Sequence, residues 1–391
     1  MAVVFPRDLV PPGSQSFFLF GPRGTGKSTW LRQVFPDAVH LDLLDLRLYT
    51  ELLAHPERLE AMVRPTGRPV VVLDEVQRLP ALLDEVHRLI EARRWRFIMT
   101  GSSARKLRRG GANLLAGRAR TLTMHPLTAH ELGKRFVLEG SLRHGHLPMA
   151  CTEPDPAGYL ASYAGTYLRE EVQAEALTRN LDAFARFLVT ASFSQASVLS
   201  VAPIARELGV ARKSVEAWFD LLDDLLLGVR LPVFTRRARR ALVAHPKFYL
   251  FDAGVFRALR PRGPLDSVEE TDGAALETLV MQELRATNDN HGLGYQLSYW
   301  RTRDGKEVDF VLYGERGLHA VEVKRSGRFR DEDLDGLRLF RADYPAARCA
   351  LLYGGEREYD FEGIRVLPLS RALPRLPTLL GGAGSKAGAR R

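Results

Sequence analysis

Eight consecutive residues, Gly21-Pro22-Arg23-Gly24-Thr25-Gly26-Lys27-Ser28, combine three glycines with a cation and a hydroxyl, and Thr29 follows them. That spacing suits phosphate binding. The glycines let successive backbone N–H groups turn inward onto phosphate oxygens, Lys27 reaches the β- and γ-phosphates, and the Ser28 hydroxyl holds Mg²⁺. The apolar run Phe17 to Phe20 predicts a strand before the loop, and Lys27 to Val34 predicts a helix whose positive end adds to the same anion site. Downstream, Pro69-Val70-Val71-Val72-Leu73-Asp74-Glu75 is apolar without alternation, as in a strand buried on both faces, and it ends in two acids. Asp74 is placed to hold the Mg²⁺ water shell. Glu75 is placed to orient and deprotonate the water that attacks the γ-phosphate.

Two further segments fit this site. Phe97-Ile98-Met99-Thr100-Gly101-Ser102-Ser103 changes from apolar to small polar residues, so Thr100 or Ser102 can sense a γ-phosphate or position water; a helix N-cap is the competing role for Ser102 or Ser103. Arg118 follows Gly117 at a turn, a place from which a guanidinium reaches the γ-phosphate held by another subunit.

A second set of reactive residues lies in the last third of the chain. Thr271 to Thr287 reads as a helix carrying Glu277, Glu307 to Tyr313 as a strand carrying Asp309, and Leu318 to Lys324 as a strand carrying Glu322 and Lys324. Alternation puts Glu322 and Lys324 on one face. Asp309 on the neighbouring strand completes a carboxylate pair for Mg²⁺, with Lys324 lowering the pKa of a metal-bound water. This series resembles the PD-(D/E)xK nuclease superfamily, which includes restriction endonucleases.

The elements that position these residues alternate at first: Phe17 to Phe20, Ala38 to Leu43, Val70 to Leu73 and Arg96 to Thr100 are strand-like, with amphipathic stretches between. That is the pattern of an α/β parallel sheet with helices on both faces, whose ligands bind at the carboxyl ends of the strands. Pro203 to Leu208, Gly209-Val210 and Arg212 to Leu227 read as two helices joined by a tight turn. With strands at Val229 to Phe234 and Lys247 to Phe251, they predict a winged helix. Arg212 and Lys213 are candidates for bases or phosphates, and Arg236, Arg237, Arg239 and Arg240 at the wing tip for DNA backbone. The expected organisation is a P-loop ATPase core at 1–130, a helical lid or linker at 131–195, a winged helix at 196–260, a nuclease-like α/β domain at 265–375 and a disordered tail at 380–391.

Composition sets outer limits. The 391 residues exceed one ordinary core, and 45% hydrophobic with 26% charged residues is the balance of a soluble globular protein. Lys and Arg total 56 against 47 acids, a net charge of +9 that favours a polyanion such as DNA. Two cysteines, Cys151 and Cys349, give neither a disulfide framework nor a CxxC site, which points to a cytoplasmic protein. No leader is recognisable, and no stretch reaches about 18 apolar residues, so no membrane span is expected.

From Phe17 to Leu367 the chain resembles the bacterial and archaeal family of AAA+-type ATPases joined to a C-terminal domain of unknown function. The phosphate loop, Leu73-Asp74-Glu75-Val76-Gln77, Thr100-Gly101-Ser102-Ser103, Leu115-Ala116-Gly117-Arg118, Lys247-Phe248-Tyr249-Leu250-Phe251-Asp252, and the Glu-Val-Asp-Phe and Glu-Val-Lys strands carry the resemblance. It implies ATP and Mg²⁺ as cofactors and a homo-oligomer, with a hexameric ring as one form. The expected function is ATP-driven binding and remodelling or translocation of DNA, branched DNA included. The alternative is a nucleotide-controlled switch or scaffold in defence or stress signalling.

Overall fold

The computed structural model describes residues 3–102, 104–105, 107, 115, 117–168, 170, 181–236, 240–261, 263 and 267–381. Arg237, Arg239 and almost all of the expected disordered tail lie outside the described residues. The chain forms two compact units, one of Leu9–His125 with Leu221–Leu227, the other of Met1–Asp8, Pro126–Asp220 and Gly228–Arg391.

The first unit is built on five strands, β1 (Ser16–Phe20), β2 (Val39–Asp42), β3 (Val70–Asp74), β4 (Arg96–Gly101) and β5 (Ala119–Thr123). They form one parallel sheet in the order β2-β3-β4-β1-β5. Helices α1 (Lys27–Val34), α2 (Leu46–Ala54), α3 (Arg58–Val63) and α4 (Leu82–Arg93) lie among the strand connections. Alternation divides the apolar runs between two cores: Phe18, Phe20, Val71, Leu73, Phe97 and Met99 enter one, while Phe17, Leu19, Val72 and Ile98 enter the other. A strand buried on both faces needs apolar residues at both parities. Each such side chain contributes about 1.5–3 kcal/mol by leaving water. The strand ends carrying the phosphate loop and the acid pair are thereby fixed on a rigid sheet.

The second unit contains two sheets. In the smaller one, β6 (Ser197–Val198), β7 (Gly228–Leu231) and β8 (Lys247–Leu250) are antiparallel in the order β6-β8-β7. The helices Leu181–Ser192, Val201–Leu208 and Arg212–Asp224 precede β7. Phe187 meets Phe219 edge-on with ring centroids 4.9 Å apart, and Phe219 meets Phe248 at 4.9 Å, so an aromatic stack ties the helices to β8. Gly209 ends the helix Val201–Leu208 in the left-handed conformation at φ 65°, which accounts for the glycine in this tight turn.

The larger sheet has six strands, β9 (Gln296–Arg301), β10 (Glu307–Gly314), β11 (Gly317–Lys324), β12 (Arg348–Tyr353), β13 (Tyr359–Phe361) and β14 (Ile364–Pro368), in the order β13-β14-β12-β11-β10-β9. β9, β10 and β11 form an antiparallel meander, and β11, β12 and β14 run parallel. The long helix Val268–Asn290 contributes Leu276, Leu279, Val280 and Leu284 to a core shared with Phe310, Leu312, Val321 and Val323. Helix Asp335–Asp343 contributes Leu337 and Phe340 to a separate core with Trp300, Val308, Val311 and Leu351. Among the described residues no helix is long and apolar enough to cross a membrane.

The connection from β7 to β8 departs from a projecting wing. Val233 and Leu242 bridge to Tyr299 and Thr302, and Phe234 is buried with Trp300 and Phe340. An edge strand offers unpaired backbone groups, and β9 is the edge of its sheet.

Candidate functional site

Backbone geometry at the phosphate loop follows from its glycines. Gly24 and Gly26 have φ of 81° and 93°, a region open to glycine and costly for other residues. Gly21 is needed for another reason: a Cβ there would strike the carbonyl oxygen of Met124. Thr25 Oγ1 donates to the Pro22 carbonyl at 2.8 Å, which closes the turn. Helix α1 starts from Gly26 with no side-chain cap and no acid in its first turn, so its positive end is available to an anion. Arg23 and Thr29 are exposed on either side.

Lys27 is buried, and its ammonium donates to the carbonyls of Gly21 at 2.6 Å and Pro22 at 3.2 Å. The Ser28 hydroxyl donates to Asp74 Oδ2 at 2.6 Å, which joins the loop to the end of β3. The other Asp74 oxygen accepts from the hydroxyl of fully buried Thr100, and that hydroxyl accepts from the Glu75 N–H at 3.3 Å. Thr100 therefore links both acids. Sequence reasoning placed it toward phosphate or water, whereas its hydroxyl engages the acid pair. Ser102 is buried just beyond the end of β4.

Glu75 has φ 59° and ψ 43°, the left-handed conformation that costs a non-glycine residue about 1–2 kcal/mol. Its carboxylate accepts from the side-chain amide of Gln77, a contact the sequence reading did not anticipate. Gln77 is 8% exposed, and a Cβ on Gly101 would collide with its Oε1. Asp42, also unanticipated, pairs in register with Asp74 and lines a recess of about 30 Å³ with Ser28, Arg32, His40 and Asp74.

Arg118 lies apart from this constellation. Ala119 pairs with Ser16 at the start of β1, whereas the phosphate loop follows Phe20. Four strand steps separate these levels, about 13 Å at roughly 3.3 Å per residue. Arg118 Nε instead contacts Glu91 Oε1 of α4 at 2.5 Å in a half-exposed ion pair.

The acids of the second unit do converge, with residues from β8. Asp309 lies at a register irregularity between Val308 and Val311, the kind of bulge that redirects a side chain. Its Oδ2 accepts from the Val323 N–H at 2.9 Å. Phe310 pairs with Val321, so Asp309 and Glu322 are the next residues along the two strands. Lys324 contacts Glu322 at 3.1 Å, so the two share a face as alternation predicts. Buried Lys247 contacts Glu277 at 3.2 Å and Asp309 at 3.5 Å, and forms a closer pair with Glu307. Tyr249, two residues along β8, donates its hydroxyl to Glu277 at 2.9 Å. Among the described residues no group of three His, Cys, Asp or Glu side chains could hold a metal ion. The contacts of Lys247, an ammonium within reach of three of the carboxylates, differ from the shared Mg²⁺ expected from sequence.

Electrostatics follow this crowding. Burial, then the Asp309 charge, raises Glu277 to about 7. Burial and Asp309 also hold Glu322 well above the usual carboxylate range. Asp309 is raised by burial against the opposing pull of Lys247. Burial disfavours the Lys247 ammonium, but its neighbours Tyr249, Glu277, Asp309 and Glu307 keep its pKa well above that of a free lysine.

The basic candidates divide. Arg212 is exposed and paired with Glu216 at 2.8 Å, and Lys213 is exposed beside it. Arg236 lies over the Tyr313 ring at 4.8 Å, and Arg240 contacts Asp343 at 2.8 Å. Both arginines are held against the larger sheet and its helix.

Residues 13–133 match the family model of the AAA domain. Residues 138–266 and 272–372 match two models, each described as a domain of unknown function, DUF8612 and DUF4143. No curated protein matches. Among solved structures, the crystal structure of protein VC1899 from Vibrio cholerae is 14% identical and aligns over 89% of this chain and 100% of that one, with a TM-score of 0.23. The N-terminal region is an AAA-type ATPase domain by its family match.

Proposed function

We propose that the protein is a Mg²⁺-dependent ATPase that binds DNA and remodels or translocates it. The chain of contacts Ser28, Asp74, Thr100 and Glu75, formed at the carboxyl ends of β1, β3 and β4, supports the ATPase part of this reading. Donor chemistry fits the cofactor: glycine-shaped backbone for phosphates, Lys27 for their charge, and a hydroxyl with a carboxylate for a hard cation. Bound Mg²⁺–ATP supplies the anhydride and the metal charge that screens it. Lys27 neutralises β- and γ-oxygens, Ser28 and Asp74 hold the metal and its water shell, and Glu75 orients a water and takes its proton. Gln77 and Thr100 fix Glu75. Arg118, remote from the phosphate loop of its own chain, acts on the nucleotide of a neighbouring copy, which implies a homo-oligomer.

In this reading Arg212 and Lys213 contact DNA phosphates, and the nuclease-like C-terminal domain adds to the grip. The net charge of +9 supports a polyanionic partner. ATP turnover measured with and without single-stranded, duplex and branched DNA tests it. Stimulation by one DNA form, with binding weakened by salt, is the expected result; turnover indifferent to every DNA, with no salt-sensitive complex, refutes the DNA role. The engagement of Arg236 and Arg240 within their own unit favours a second reading, a nucleotide-controlled switch whose partners are proteins. That reading gains if hydrolysis is intact and DNA binding absent.

A further inference from the structure

We propose that the larger sheet binds a medium-chain carboxylate, an apolar chain ended by one anionic group, in a cavity beneath helix Leu376–Leu379. The inference is independent of the ATPase reading, and none of Glu277, Asp309 and Glu322 lines the cavity.

The cavity measures about 300 Å³, and strand register builds its floor. Val321, Ala350 and Arg365 pair side by side across β11, β12 and β14. His319 beside Arg348 forms the next row on one flank, and Leu352 beside Leu367 the next row on the other. Residues two apart along a strand share a face, so one continuous surface runs from apolar at Leu352 and Leu367 to basic at Arg348. Leu376 and Leu380, both buried, supply the facing wall. Tyr295 fixes that wall. Its hydroxyl donates to the Leu380 carbonyl at 3.0 Å and so accepts from His319 Nε2 at 3.1 Å.

Charge selects the head of the ligand. Arg348 and Arg365 are exposed at the rim, and neither forms an ion pair among the described residues. Asp360 lines the same rim, opposite Arg365 in register, and accepts from the Gly363 N–H at 2.8 Å. Two cations against this acid leave the rim positive. Burial and the Arg348 charge hold His319 down at about 4, so its imidazole is neutral at pH 7 and the arginines alone attract an anion. A carboxylate matches the paired N–H groups of a guanidinium, and alkyl carbons match the leucines below it. The volume lies at the small end of the about 300–1,000 Å³ of small-molecule sites, which fits a chain of about eight carbons. The segment after Gly381 is a poor rival for this place, because Gly382 to Arg391 carry Lys386, Arg390 and Arg391 and no acidic residue.

Calorimetric titration of the full-length protein with octanoate, octanol and acetate tests the proposal. Octanoate should bind saturably at one per chain. Octanol keeps the chain without the charge and should bind about tenfold more weakly or worse, while acetate keeps the charge without the chain and should give no measurable binding. Arg348→Gln combined with Arg365→Gln should bring octanoate down to the octanol level, and Ala350→Trp, which fills the floor, should abolish binding of both. Absence of saturable octanoate binding overturns the proposal. So does octanol binding as tight as that of octanoate, which means an apolar cavity without anion recognition. Both of these results come from the unchanged protein and stand even if a variant fails to fold. A folded double-arginine variant with unchanged octanoate affinity overturns it as well.

Discussion

Thr100→Val tests whether the hydroxyl linking Asp74 and Glu75 positions the catalytic base. The substitution keeps shape and burial and removes one oxygen from a fully buried side chain. Two hydrogen bonds go with it: one to a carboxylate, worth about 1.5–3 kcal/mol, and one from the Glu75 N–H, worth about 0.5–1.5 kcal/mol. Asp74 is only part-buried, and water can replace some of what it loses, so a net of about 2 kcal/mol is a fair figure. If that energy holds Glu75 and Asp74 in register in the transition state, turnover falls about 30-fold. Nucleotide affinity should hold, since Lys27 is held by the carbonyls of Gly21 and Pro22 and the loop backbone by its own glycines. Steady-state ATP hydrolysis and titration of a fluorescent nucleotide separate the two effects. Thr100→Ser retains the hydroxyl and should recover most of the rate, which guards against a packing artefact. A folded Thr100→Val protein with kcat within about twofold of the unchanged protein refutes the reasoning.

Lys27→Ala should lose nucleotide binding, whereas Glu75→Gln should bind ATP and turn over about 10²–10⁴-fold more slowly; normal turnover by Glu75→Gln removes the base from the mechanism. Arg118→Ala mixed with Lys27→Ala should regain part of the ATPase, because a mixed interface can unite an intact Lys27 with an intact Arg118; co-assembly without rescue assigns Arg118 to its pair with Glu91. Glu277, raised to about 7, binds a proton in the folded state that the unfolded chain releases nearer 4.5, so its contribution to stability falls as pH rises between these values. Denaturant unfolding from pH 5 to pH 8 should show the unchanged protein losing ground to Glu277→Gln, and a constant difference would argue against the shift.

The phosphate loop was legible because its determinants are contiguous: a run apolar at both parities, glycines at the left-handed positions, and a lysine and serine opening α1. The strands carrying Asp309 and Glu322 were legible for a similar reason, since alternation is local. Partners set by topology were hidden. Lys247 and Tyr249 stand in the sequence as part of a strand and of a run resembling the family, and nothing in their neighbourhood shows that β8 points them at Glu277, 30 and 28 residues away in sequence. Arg236 and Arg240 read as a hairpin tip because a basic run between two strands usually is one. The bridges from Val233 and Leu242 to β9 and its end, not local propensity, bind that connection to the larger sheet. Gln77 was missed for a subtler reason: its role depends on the reversal at Glu75 that brings residue 77 back toward residue 75.

The left-handed backbone at Glu75 sets stability and activity against each other at a single residue. Glycine there would relieve about 1–2 kcal/mol of backbone cost while deleting the base. Laboratory selection for heat resistance would therefore enrich inactive proteins at this site unless turnover is screened in parallel. The same conflict is useful for trapping the nucleotide-bound form, because Glu75→Gly combines a relaxed backbone with an absent base, where Glu75→Gln keeps the strain.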